Sequence, residues 1–130
     1  MAANPTSKDA QFAQAAVEHW QRLGRELKAD VEQFNRNGRS ASFSQPTENE
    51  YRVSNSDSGL AVVVVADPED HIVRYDFVRT NDHSAGAPEG GMLSMRIGKG
   101  GVEFYSSDQP VNGEEARGLL LDPVLNPSAT

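Results

Sequence analysis

The chain has 130 residues, 37% hydrophobic and 24% charged, with 12 Lys and Arg against 19 Asp and Glu for a net charge of −7. One domain of this size buries a substantial core, and an acidic balance argues against a general binder of nucleic acid or of anionic membranes, which need clustered basic side chains. There is no cysteine, which excludes disulfides, thiolate metal sites and cysteine nucleophiles.

Residues 1–7 read as a flexible tail, without the basic start and apolar centre of a secretory signal. The longest apolar run, residues 60–66, is far shorter than a membrane span. The expectation is therefore a cytoplasmic protein with one domain over residues 8–125 and a second loose tail at 126–130.

The strongest pattern lies near the start. Phe12, Ala16, Trp20, Leu23, Leu27, Val31 and Phe34 recur at steps of three and four, which keeps them on one side of a helix. The helix is predicted over residues 8–36, with Thr6 or Ser7 as cap, Asp9 in the first turn, and Asn37 and Gly38 as the stop. Gly24 inside it is read as permitting a slight bend. After Gly38 the period changes to two. Ala41 and Phe43 alternate with Ser42 and Ser44 until Pro46 and Asn49 interrupt, and Tyr51 and Val53 alternate with Arg52 and Ser54. A turn at 55–59 precedes the Val-rich run 60–66, the mark of a strand central in a sheet.

Asp67, Pro68, Glu69 and Asp70 suit a type I turn. Residues 71–79 then place Val73, Tyr75 and Phe77 on one face. Residues 80–91, rich in Gly, Pro, Asn and Ser, read as a surface loop. Leu93, Met95 and Ile97 share one face of the next strand, residues 98–101 form a hairpin turn, and Val102 and Phe104 continue inward on a sixth strand. Asn112 caps a last helix that carries Glu114 and Glu115 in its first turn and Leu119, Leu120 and Leu121 further on; Asp122 and Pro123 are expected to end it.

The fold class that follows is α+β: a long N-terminal helix packed across an antiparallel meander of about five to six strands, then a short C-terminal helix. A helix of nearly thirty residues is about 42 Å long, whereas six strands side by side span about 24–29 Å. The helix must lie diagonally or overhang, leaving Phe12 or Phe34 in need of cover. The run 60–66 has apolar side chains on both faces and needs two covers. The C-terminal leucines are one candidate for the second cover, and a homodimer is the other.

The side chains able to carry chemistry are few. His19 flanks the core stripe and reads as structural. His71 with Asp67, Glu69 and Asp70 has metal-ligand types, but too few alternating oxygens for a calcium loop, so an acidic hairpin turn is expected. Asp82, His83 and Ser84 are adjacent, and a catalytic relay needs its members brought from separate places. The glycine runs at 90–91 and 98–101 are followed by strands, not by the helix a phosphate loop requires. On the sheet face away from the long helix, period two places Arg52, Arg74, Arg96 and Asp76, with Ser42, Ser44 and Ser94. Three Arg on an acidic protein are the candidate anion or carboxylate site. The plainer reading is a solvated face with cross-strand charge pairs such as Arg74 or Arg96 with Asp76 or Glu103.

No catalytic residue, metal or cofactor is expected. The function expected is that of a small acidic, non-enzymatic interaction or regulatory protein, with a homodimer or another protein as partner and neither nucleic acid nor membrane. Size, low isoelectric point and a helix before an antiparallel sheet are similar to bacterial type III secretion chaperones, which implies a binder of an extended protein segment. Those chaperones carry a helix after the third strand, where this chain has the Gly- and Pro-rich residues 80–91. The third expectation is a small-anion binder using the arginine face. Trp20 anchors all of these readings to one core, so Trp20→Ala should lower the unfolding free energy by on the order of 3–5 kcal/mol. An unchanged thermal midpoint would rule out a helix packed on the sheet through this stripe.

Overall fold

A computed structural model describes residues 6–36, 38–67, 69–80, 87–98 and 101–125. The order is α1 (Thr6–Asn35), β1 (Ala41–Thr47), β2 (Glu50–Asn55), β3 (Leu60–Asp67), β4 (Ile72–Arg79), β5 (Gly91–Gly98), β6 (Gly101–Ser106), β7 (Gln109–Val111) and α2 (Gly113–Leu125). The strands form one antiparallel sheet in the order β1-β2-β3-β4-β5-β6-β7, an unbroken meander in which every strand pairs with its chain neighbours. The α+β class and the helix-on-meander architecture are as expected, with one strand more. That strand, β7, is Gln-Pro-Val. Pro110 has no N–H to give a ladder, so the segment carries no strand signature, yet a proline is tolerated on an edge.

The amphipathic stripe of α1 is the core of the inner face. Ala16, Trp20, Leu23, Leu27 and Val31 are buried against Tyr51, Val53, Val62, Val64, Val73 and Leu93. The helix starts two residues earlier and ends one residue sooner than predicted. Gly38 follows at φ +81°, the left-handed geometry of a helix stop; Asn37 lies outside the described residues. Both ends of the stripe find cover within the chain. Phe12 meets His71 edge-on at 4.4 Å between ring centroids, and the Arg39 guanidinium lies 5.1 Å over the Phe34 ring.

One junction sets how close the helix sits. Trp20 stacks on Tyr51 at 4.1 Å, the Trp20 indole N–H donates to the Glu48 carbonyl at 2.8 Å, and the Tyr51 hydroxyl donates to the Trp20 carbonyl at 3.0 Å. The Tyr51 ring fills the space beside Gly24: a Cβ there would stand 2.3 Å from the phenol Cζ. Gly24 is therefore a close-approach position and not the bend the sequence suggested.

The second helix departs from expectation twice. Its start is a reciprocal capping box, with Glu115 N donating to Asn112 Oδ1 at 2.7 Å and Asn112 N to Glu115 Oε1 at 2.9 Å. Pro123, however, does not end it; α2 continues to Leu125. The ring costs one main-chain hydrogen bond, but Val124 and Leu125 are buried and the Val124 carbonyl accepts from Asn55 Nδ2 at 3.0 Å. Nor does α2 cover the opposite face of the sheet. Asn55 points inward with Tyr51 and Val53, and Arg117 of α2 pairs with Asp30 at 2.6 Å and Glu26 at 3.2 Å on α1. Seven strands span roughly 29 Å and one helix covers about 10 Å, so the inner face has room for a second helix beside the first.

The remaining turns follow their composition. Asp67 Oδ1 accepts from the N–H groups of Glu69 and Asp70 at 3.1 and 3.2 Å, an Asx turn that leads into His71 at φ 54°; Pro68 lies outside the described residues. So do Asp82, His83, Ser84, and Lys99 and Gly100 of the hairpin whose flanks, Gly98 and Gly101, pair across β5 and β6. Strand β1 runs through Pro46 rather than stopping before it, at the cost of a register break between Ser44 and Thr47. Ile97 shares the inward face of Leu93 and Met95 but projects past the core at 64% exposure.

Replacing a helical glycine by alanine ordinarily stabilises by up to about 1 kcal/mol. Gly24→Ala should do the reverse here, lowering stability by about 1–3 kcal/mol, because Tyr51 is buried and cannot retreat from the new methyl. Chemical denaturation measures it; a more stable variant would refute the close-approach reading.

Candidate functional site

The outer face of the sheet carries no helix among the described residues. Its side chains fall into rows set by strand register. Ser44, Arg52, Val63 and Asp76 stand in one row across β1 to β4. Glu50, Val65, Arg74 and Met92 stand in the next, across β2 to β5. Val65 is 40%, Val78 43% and Met92 52% exposed, while Ala61 is buried. The Val-rich run is thus fully covered on its inner side and left half open on its outer side.

All four site residues read from the sequence lie on this face, but the register separates them. Arg52 is on β2 and Arg74 on β4, with β3 between, a gap of two strand spacings or about 9.6 Å. Arg96 lies further off on β5, opposite Glu103. It is held locally, its guanidinium 4.8 Å over the Tyr105 ring and within 3.4 Å of Asp108 and 3.3 Å of the Ser107 carbonyl. Arg52 pairs with Glu50 on its own strand at 2.6 Å. Arg74 and Asp76 have no ion pair among the described residues, and neither stands opposite the other. The three arginines do not converge. What the register does bring together is a carboxylate and a guanidinium on either side of a valine, twice: Glu50 and Arg74 flank Val65, and Arg52 and Asp76 flank Val63. Glu50, Val63 and Val65 were not among the residues singled out from sequence. Alternation gives the face of each residue but not which residue stands across from it.

Two of the histidines, His19 and His71, are built into the fold. The His19 ring lies 4.4 Å from Phe104, and its Nε2 is buried without a hydrogen-bond partner. Burial first, and the Arg22 charge second, hold its pKa below the ordinary 6.5; the carboxylates of Glu26 and Glu103 pull the other way. His71 Nδ1 is likewise buried and unpartnered. His71 also gives its carbonyl to Met95 N at 2.8 Å. Among the described residues no group of three or more His, Asp or Glu could hold a metal ion. Among the described residues no helix is long and apolar enough to cross a membrane. Compared with known protein families, curated proteins and solved structures, the chain matches none of them.

A histidine whose folded pKa lies below its unfolded value binds fewer protons in the native state. Its contribution to stability is present above about pH 6.5 and is lost as pH falls through the folded value. His19→Gln should flatten that part of the stability profile on the acid side. A profile with the same slope in both proteins would remove His19 as its source.

Proposed function

We propose that this is a small, non-enzymatic interaction protein that works as a homodimer joined through its outer sheet faces. The observation that carries the reading is the pair of rows flanking β3. A two-fold axis laid along β3 between two stacked sheets places β2 of one copy over β4 of the other. Glu50 then faces Arg74 of the second copy, Arg52 faces Asp76, and Val63 and Val65 meet their own counterparts. Four opposite-charge contacts arise from one operation, and no like charges meet in these rows. Face-to-face sheets cross at about 30°, which a two-fold axis accommodates with each β3 tilted by half that angle. The exposed Val65, Val78 and Met92 supply apolar surface to bury. These charge contacts contribute orientation more than affinity.

A non-enzymatic role is supported by how four inward polar side chains are used. Trp20, Tyr51 and Asn55 give their donors to main-chain carbonyls, and Arg117 joins the two helices. Each of these holds one element of the fold to another.

Light scattering over a dilution series tests the reading. The expected result is a dimer that Arg74→Glu converts to monomer. Inverting all four charges together, with Glu50→Arg, Arg52→Glu, Arg74→Glu and Asp76→Arg, should restore it, because both rows and the Glu50–Arg52 contact keep their complementarity. A monomeric parent protein at every concentration overturns the proposal, as does a dimer indifferent to Arg74→Glu.

A further inference from the structure

The sheet has two edges, and they differ. On β7 the edge is three residues with Pro110 in the middle, which cannot donate to an added strand. The β1 edge is longer and carries no charged side chain, and its other guards, Pro46 and the register break, act only beyond Ser44. Its open hydrogen-bonding groups follow from the contacts of Ala41. Asn35 Oδ1 accepts from Ala41 N at 2.7 Å, and Asn35 Nδ2 donates to Ala41 O at 2.9 Å. Ala41 therefore turns both main-chain groups away from β2. The Asn55 carbonyl, across from Ala41, accepts from Gly59 N on the β3 side, which fits the same alternation. Main-chain groups of an edge strand alternate in direction with period two. Phe43, two residues on, thus turns its N–H and C=O to the open edge, before the register breaks beyond Ser44. The Asn35 carboxamide already occupies the Ala41 position as the amide of a neighbouring strand would.

Beside this edge, on the helix side, is a groove of about 360 Å³ between α1 and β1. Phe43, half-buried, lies along it with Gln21 and Gln45, and its charged side chains are Arg25 and Lys28; among the described residues no carboxylate lines it. On a chain of net charge −7, a groove whose charged lining is cationic is locally opposite to the whole. We propose that the β1 edge and this groove bind an extended, acidic segment of a partner protein, which adds a short strand against Phe43 and lays carboxylates against Arg25 and Lys28. A second copy of this chain does not fit: a two-fold axis at the β1 edge would set Arg25 and Lys28 of one copy beside those of the other. The proposal does not depend on the outer-face dimer, because the groove lies on the opposite side of the sheet.

The experiment is an NMR titration with a synthetic peptide of alternating glutamate and valine, repeated on the Arg74→Glu variant. The expected result is shift changes at Gly24, Arg25, Lys28 and Phe43, with slowed hydrogen exchange at the Phe43 amide, in both proteins. Arg25→Glu with Lys28→Glu should weaken binding about tenfold or more, as should main-chain N-methylation of the peptide. An unchanged spectrum overturns the proposal, as does equal binding of the lysine–valine counterpart. Shifts centred on Val65 and Met92 would overturn it too, and would place the peptide on the outer face instead.

Discussion

The contact on which the rest of the structure depends is the seating of the Tyr51 ring between Trp20 and the bare backbone of Gly24. Stacking, two hydrogen bonds to main-chain carbonyls and the missing Cβ all act at one place. They bring α1 to within ring contact of β2 and tie it to the β1–β2 turn through Glu48. With that crossing fixed, the helix end arrives at Asn35, where its side chain can take up the edge of β1. The remaining inner surface is what α2 fills. Hydrophobic burial drives the assembly, but this junction decides where the helix lies.

Placing both helices on one face divides the molecule by role. Four polar side chains of the inner face hold elements together: Asn55 on the end of α2, Arg117 between the helices, Trp20 and Tyr51 between helix and sheet. A buried donor left without a partner is costly, and these side chains are partnered. Outward, Val65, Val78 and Met92 stay open among charges of both signs. An antiparallel sheet tolerates one wet face, yet a strand as apolar as β3 is more exposed there than its composition favours. That mismatch motivates the proposed dimer.

The two sheet edges show different answers to one problem. At β7 a proline removes the donor. At β1 protection is partial: Asn35 closes one end and the Pro46 irregularity the other, with Phe43 between them. The cationic groove beside that gap gives it a chemical preference, opposite to the charge of the chain as a whole.

Much of this was legible in the residues themselves. The stripe from Phe12 to Phe34 defined the helix, because 3.6-residue periodicity is local. The alternations of Tyr51 with Val53 and of Val73 with Tyr75 and Phe77 assigned faces, because a strand repeats every two residues. Asn112 and Glu115 marked the start of α2 for the same reason. What lay outside local reach was everything that depends on a neighbour across space. Gly24 faced a ring 27 positions away in sequence. The end of α2 was held past Pro123 by Asn55, and its side of the sheet was set by the width left beside α1. The arginines of the outer face were assigned to the right surface but not to each other. Alternation determines which way a side chain points, and only strand register, a tertiary property, determines what stands opposite it.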